Sequence, residues 1–184
     1  MRINAFVTTA ALACVLLAGC TDDPVGPVDG DTSAPTTSAS PTPTGPTPPP
    51  LPDAAKADTA DGAVAFVQYY IKLLNYAANT GDVAPLRSTS RNCTGCETYA
   101  DGYEKIYAAG GNLNSPGWQP VSPIGRVEGD RVTVVTEVKA GAVTSVPSAG
   151  ASPQLGSDAT YSLRFQVERV GDAWRVVVFQ GETV

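Results

Sequence analysis

Cysteine is the most reactive side chain in this sequence, and it occurs four times in 184 residues, as Cys14, Cys20, Cys93 and Cys96. Histidine does not occur at all. This absence excludes a histidine general base, a Ser-His-Asp or Cys-His nucleophile and a His-ligated metal site. Any catalysis would therefore have to draw on Asp, Glu, Lys, Tyr or Cys.

A second group with chemical potential is a set of six tyrosines on two predicted helices: Tyr69, Tyr70, Tyr76, Tyr99, Tyr103 and Tyr107. A buried phenol can donate to a developing oxyanion, and with Asp101 as a base such tyrosines would form an isomerase-like site. Tyr70, Tyr103 and Tyr107 are the candidate pocket residues. However, tyrosines at helical spacing are usually core residues, and Asp101 lies off the face of Tyr99 and Tyr103. We assign no catalytic residue and favour a binding module over an enzyme.

The N-terminus carries signals for export. The mostly apolar run over residues 5–16 is too short to span roughly 30 Å of hydrocarbon. It is typical of a signal peptide. Leu17-Ala18-Gly19-Cys20 follows directly and resembles the lipobox of bacterial lipoprotein precursors. The resemblance implies that the Cys20 sulfur receives a diacylglycerol and that cleavage leaves Cys20 as the first residue. An ordinary secretory signal followed by an unmodified cysteine is the alternative.

Three regions follow along the chain: a lipoprotein signal peptide over residues 1–19, lipidated Cys20 with a disordered linker over residues 20–58, and one folded domain over residues 59–184. The linker holds ten of the 16 prolines and no aromatic residue, so little can be buried against the entropy cost of ordering it. Its run over residues 41–50 favours polyproline II. We expect a spacer that holds the domain at the extracytoplasmic face of the cell membrane. Docking of this run to a proline-binding domain is the alternative.

Cys93 and Cys96 are the cysteines that remain after Cys14 leaves with the signal peptide and Cys20 takes lipid. In an oxidising exterior we expect them to form a structural disulfide at the start of a helix. A redox-active pair is the alternative, because a helix N-terminus stabilises a thiolate, but the βαβ context of a thioredoxin-like site is missing. Two cysteines without histidine cannot form a four-ligand zinc site, so no metal and no cofactor is expected.

Charge narrows the range of partners. The formal net charge is -6, and no cluster of Lys and Arg occurs. Nucleic acid and anionic lipid headgroups are therefore poor candidates. The remaining partners are the bilayer, through acylated Cys20, and a cell-envelope protein or a small apolar ligand.

The folded region begins with helices. Apolar residues at i, i+3 and i+4 spacing over residues 64–78 predict a long helix. Asp58 or Thr59 can cap its start, and Asn79-Thr80-Gly81 can end it. Thr94-Gly95-Cys96-Glu97 fits a capping box, so a further helix is predicted to begin there.

The rest of the domain is predicted to be strands and turns. Alternating apolar and polar residues predict strands over residues 131–138, 161–170 and 173–180. Gly129-Asp130 and Gly171-Asp172 are predicted two-residue hairpin turns. Residues 118–127 contain two prolines and are predicted to form an edge strand. Within the Gly, Ser, Ala and Pro-rich segment 140–159, only residues 142–146 are a strand candidate.

Helices followed by an antiparallel meander predict an α+β domain with N-terminal helices packed on a curved antiparallel sheet. This order resembles the NTF2-like folds, and with the lipobox and the Cys93-x-x-Cys96 segment it resembles actinobacterial lipoproteins of uncharacterised function. In NTF2-like proteins the sheet and the long helix enclose a pocket, sometimes an enzyme site and often a binding surface. The resemblance implies a membrane-anchored module that binds or scaffolds. A carrier of a small apolar ligand is the alternative, and a His-free isomerase-like enzyme is the third reading.

Overall fold

The computed structural model describes residues 45–184. The predicted signal peptide, the lipobox residues Leu17, Ala18 and Gly19, Cys20 and the first part of the linker lie outside the described residues. The described part contains a short 3-10 helix, Asp53–Lys56, and three α-helices: α1 Ala60–Thr80, α2 Ala84–Ser88 and α3 Thr94–Ala108. Its seven strands are β1 Asn112–Asn114, β2 Trp118–Glu128, β3 Arg131–Ala140, β4 Thr144–Val146, β5 Gln154–Leu155, β6 Ala159–Val170 and β7 Ala173–Thr183.

The long helix α1 begins and ends at the predicted residues. The Thr59 hydroxyl caps it by accepting a hydrogen bond from the Gly62 amide at 3.0 Å. Gly81 ends it with a φ of 76°, a left-handed conformation that favours glycine. Eleven of its 21 residues are buried. A single apolar stripe contains fewer residues than this, so other elements must pack against α1 on several sides. No helix in residues 45–184 is long and apolar enough to cross a membrane.

The main sheet is antiparallel, with the strand order β2-β3-β6-β7. Gly129 and Gly171, both at a φ of 66°, form the two predicted hairpin turns. The predicted edge position of β2 is also confirmed. Its register with β3 shifts between Val121 and Ile124, and such a bulge bends the strand. The sheet is thus bent at the edge where the prolines lie.

The central strand β6 buries one side and exposes most of the other. Leu163, Phe165 and Val167 are buried, whereas Ser162 and Arg164 on the opposite side are exposed. The buried side faces α1, and the contact is close enough that a Cβ on Gly125 of β2 would lie 2.9 Å from the Val64 side chain. Helices therefore cover one side of the sheet, and the predicted α+β class is confirmed.

A second, smaller sheet was not predicted. β1, β4 and β5 pair in the order β1-β4-β5, and β1 joins β4 through Asn112 opposite Val146. The candidate segment 142–146 contains β4, but β1 and β5 have three and two residues. Strands this short show no alternating pattern, so only their long-range pairing identifies them.

The predicted boundary between linker and domain at residue 58 needs correction. Residues 53–56 form the 3-10 helix, and Ala55 is buried in the domain core. The carbonyl oxygen of Ala57 accepts a hydrogen bond from the Trp174 indole at 3.1 Å, and that of Lys56 accepts one from Arg169 at 3.3 Å. These partners are more than 100 residues away in sequence, so local composition gave no sign of the contact.

The predicted start of α3 is right, but its capping box is wrong by one residue. Cys93 is the cap, and its sulfur accepts a hydrogen bond from the Cys96 amide at 3.2 Å. Thr94 is already the first helical residue, and Glu97 bonds to Arg87 instead of returning to the helix start. The disulfide between Cys93 and Cys96 places the sulfur where a serine or threonine oxygen usually lies.

Two glycines of α3 provide a matched test of its packing. A Cβ on Gly95 would lie 2.0 Å from the Phe179 carbonyl oxygen, whereas a Cβ on Gly102 would have no atom within 4 Å. We expect Gly95→Ala to lower the free energy of unfolding by about 1–3 kcal/mol through overpacking. Gly102→Ala should raise it by about 0.5–1 kcal/mol, because alanine is the better helix former. Urea denaturation measures both, and equal effects would contradict the close approach of α3 to β7.

Candidate functional site

The space between α1, α3 and the main sheet is filled by six aromatic side chains, which we call the aromatic cluster. They come from two helices and three strands: Tyr70, Tyr99, Trp118, Tyr161, Phe165 and Phe179. In the NTF2-like resemblance this space is the pocket. The cluster is therefore where a ligand site of that kind has to be sought.

Stacking runs continuously through the aromatic cluster. The Phe165 and Phe179 rings stack with centroids 4.7 Å apart, and Tyr99 stacks on the other side of Phe179 at 5.0 Å. The Trp118 ring meets Tyr99 edge-on at 5.5 Å and stacks on Tyr161 at 5.7 Å. Contacts in this range leave no room for a ligand between neighbouring rings.

Tyr70 is the one member of the aromatic cluster with an unsatisfied polar atom. The residue is fully buried, and its hydroxyl has no hydrogen-bond partner within the described residues. The neighbouring Ser90 hydroxyl donates to the Arg87 carbonyl, and its oxygen lies outside hydrogen-bond geometry for the Tyr70 hydroxyl. Burial raises the pKa of the Tyr70 phenol far above its usual value, so the phenol stays protonated and is not a base at neutral pH.

The three candidate pocket tyrosines have different surroundings. Tyr103 lies beside Tyr99, at a centroid distance of 6.3 Å, and Tyr70 lies deeper in the aromatic cluster. Tyr107 is used elsewhere, since its hydroxyl donates to the Ala78 carbonyl at 3.0 Å and its ring lies against Gly81. Five surface clefts of the described residues, of about 130–490 Å³, are lined by other residues.

Asp101 lies in an ion-pair cluster that sequence reasoning missed. Arg87 of α2 bonds to the carboxylates of Glu97 at 3.2 Å and Glu104 at 3.0 Å, and also to that of Asp101. The hydrogen bonds to Glu104 and then to Asp101 raise the pKa of the Arg87 guanidinium. The i, i+4, i+7 spacing of the three acidic residues is visible in the sequence. Their basic partner, Arg87, could not be recognised because it lies on a different helix. Asp101 points away from the tyrosines, as expected, and joins α3 to α2.

The predicted disulfide is present. Cys93 and Cys96 are bonded, and both residues are buried next to the start of α3. A buried disulfide is shielded from attack by an external thiolate, which favours the structural reading over the redox reading. Among residues 45–184, no group of three or more Cys, Asp or Glu is placed to hold a metal ion.

Comparison with known proteins adds a family and a fold. A family model described as "Family of unknown function (DUF6318)" matches residues 32–183. No curated protein matches the chain. The intermembrane space region of the chloroplast protein ARC6 has a similar structure, with a TM-score of 0.51 and 13% identity, over 70% of this chain and 98% of that chain.

Two solved NTF2-like proteins are also similar. One is from Cytophaga hutchinsonii, with a TM-score of 0.45 and 15% identity over 65% of this chain and 96% of that chain. The other is from Rhodospirillum rubrum, with a TM-score of 0.45 and 15% identity over 64% of this chain and 98% of that chain. A long helix across a bent four-stranded antiparallel sheet is the NTF2-like architecture that the resemblance implied, so this fold is confirmed.

Tyr70 and Tyr107 give a matched pair of hydroxyl deletions. We expect Tyr70→Phe to leave the free energy of unfolding unchanged or to raise it by about 1 kcal/mol, because it removes a buried hydroxyl without a partner. Tyr107→Phe should lower it by about 1 kcal/mol, because it leaves the Ala78 carbonyl without its donor. Thermal and urea unfolding measure both. A clear loss of stability in Tyr70→Phe would mean that its hydroxyl has a partner.

Removal of the disulfide tests its structural role. We expect the double change Cys93→Ser and Cys96→Ser to lower the free energy of unfolding by about 1–3 kcal/mol without unfolding the domain, because the closed ring is small. Mass spectrometry of exported, alkylated protein should show no free thiol at either position. Two free thiols there would instead support the redox reading.

Proposed function

Since the chain belongs to DUF6318, a family of unknown function, we propose from its own residues that it is a membrane-anchored extracytoplasmic lipoprotein whose domain is a binding or scaffolding module. Two independent lines support the proposal. The lipobox and Pro-rich linker support the anchor, and the filled aromatic cluster supports the module.

The main observation in favour of a binding or scaffolding module is the stacking within the aromatic cluster. A carrier or an enzyme of this fold needs an open pocket with converging polar groups. Here Phe165, Phe179 and Tyr99 stack ring on ring across the space that such a pocket would occupy. The three carboxylates of α3, those of Glu97, Asp101 and Glu104, are all paired with Arg87. Binding then has to use an outer surface.

The outer side of the main sheet offers such a surface. Ile124 of β2 lies opposite Val135 of β3, and their exposed fractions are 64% and 43%. Val121 continues this apolar area along β2, and Arg164 lies next to Val135 on β6. Exposed apolar residues that adjoin each other and are rimmed by charges are typical of protein contacts. A cell-envelope protein is therefore the favoured partner.

A carrier of a small apolar ligand is the second candidate, and Tyr70 is the observation that favours it. Its buried hydroxyl lacks a partner, which costs free energy unless another group bonds to it. A ligand oxygen that reached the aromatic cluster after a rearrangement would satisfy it.

The anchor is tested by a matched pair of cysteine variants. Cys20→Ala should leave an unprocessed or released protein, because the acyl group has no other attachment point at the lipobox. Cys14→Ala should behave as the wild type, since Cys14 leaves with the signal peptide. Detergent phase partitioning of cell fractions measures this. Equal partitioning of Cys20→Ala and the wild type would exclude the anchor.

Native mass spectrometry of protein purified from its membrane distinguishes a binding module from a ligand carrier. We expect the mass of the acylated chain and no additional small molecule, because the rings fill the space. A bound apolar molecule, lost in Trp118→Ala but kept in the surface variant Ile124→Ser, would favour the carrier.

A further inference from the structure

A line of side chains runs along one side of α1, and we call it the α1 groove: Gly62, Phe66, Tyr69, Leu73 and Tyr76. Their spacing of four, three, four and three residues places them on one stripe of the helix. Phe66, Tyr69 and Leu73 in its middle are only 3%, 9% and 0% exposed. Other residues of the protein therefore cover this stripe of the helix.

The last residues of the Pro-rich linker contact α1 at both ends of the α1 groove. At one end, the Tyr76 hydroxyl lies 3.3 Å from the Pro46 carbonyl oxygen and shares its proton with Asp82, at 2.9 Å. At the other end, Ala57 lies so close to Gly62 that a Cβ there would be 2.1 Å from the Ala57 carbonyl oxygen. The chain between Pro46 and Ala57 thus runs beside α1 in the opposite direction.

The attachment near Gly62 is built from specific contacts. Ala55 is buried, and the Trp174 indole donates to the Ala57 carbonyl. Arg169 lies over the Trp174 ring at 5.2 Å and donates to the Lys56 carbonyl. Both hydrogen bonds use backbone carbonyls, those of Lys56 and Ala57, at the end of the 3-10 helix Asp53–Lys56.

We propose that the α1 groove is a binding site for proline-rich chain, and that residues 46–57 of the linker occupy it in cis. The ligand is an extended proline-rich stretch, residues 46–52, followed by one 3-10 turn. The Tyr76 hydroxyl meets the Pro46 carbonyl at one end, and the Trp174 indole donates to the Ala57 carbonyl at the other. A segment with restricted backbone loses little entropy on docking. The site goes beyond the proposed module and does not depend on the anchor.

One consequence concerns the anchored protein and rests on the proposed function. With residues 46–57 docked, the linker leaves the domain beside Tyr76, near the end of α1, and not at Thr59 where the helix begins. Between Cys20 and Pro46 the sequence has 25 residues, against 38 between Cys20 and Thr59. At about 3.1 Å per residue, the upper limit of the distance that these residues can span is about 80 Å instead of about 120 Å.

A peptide experiment in trans tests the groove with the full chain. Ala55→Asp should release the linker, because a carboxylate cannot be buried where Ala55 lies without a partner. A labelled synthetic peptide of residues 45–58 should then bind this variant saturably. It should bind the wild type at least tenfold more weakly, because the tethered segment competes at high effective concentration. The same peptide carrying Ala55→Asp is the control and should not bind.

The outcomes are distinct. Failure of the wild-type peptide to bind a folded Ala55→Asp chain, with near-ultraviolet circular dichroism retained, would overturn the proposal. Dimers of the wild-type chain that exchange this segment would mean that a second copy occupies the groove, and they would overturn the assignment in cis. Loss of detergent partitioning in Cys20→Ala, by contrast, concerns only the anchor.

A second variant keeps the test independent of how well Ala55→Asp folds. Gly62→Ala adds a methyl group that collides with the Ala57 carbonyl but suits the helix, and Gly102→Ala is the control with nothing near it. We expect trypsin to cleave after Lys56 about tenfold faster in Gly62→Ala than in the wild type, and at the wild-type rate in Gly102→Ala. Equal cleavage in Gly62→Ala and the wild type would show that the segment is not held in the groove.

Discussion

The structure depends on the burial of α1, a helix that is apolar on more than one side. The main sheet covers one side of it, where Gly125 lets the backbone approach Val64. The Pro-rich segment lies along another side, from Gly62 to Tyr76. A helix of this kind cannot remain partly uncovered in water without a large loss of hydrophobic stabilisation. The sheet, the aromatic cluster and the end of the linker are therefore parts of one core.

The position of α3 rests on a few specific contacts. Only Cys96 and Ala100 of this helix are buried. The disulfide to Cys93 fixes its start, and Arg87 joins its acidic side to α2. Because α3 buries little apolar surface, the disulfide and the ion pairs contribute more to its position than they would in a more deeply buried helix. The position of α3 in turn keeps Tyr99 stacked on Phe179. The packing that fills the candidate pocket thus depends on the start of one helix.

Because the aromatic cluster is filled, binding has to use the outer surfaces of the domain. Two surfaces differ in character. The outer side of the sheet exposes Ile124 and Val135, whereas the α1 groove is already occupied by the chain's own linker. Docking of residues 46–57 sets the point at which the linker meets the domain, beside Tyr76. The linker is then more than a spacer, because its last residues belong to the domain.

The sequence by itself determined the features that are encoded locally. Periodicity, Thr59 and Gly81 defined α1, and alternation with Gly129 and Gly171 defined the hairpins of the main sheet. The Cys93–Cys96 pair was also predictable from cysteine count and spacing. Only the tertiary structure decided the pairing of β1, β4 and β5, the three carboxylates on Arg87, and the docking of residues 53–58 on Trp174. Each of these joins residues far apart in sequence through contacts that leave no periodic pattern in the chain.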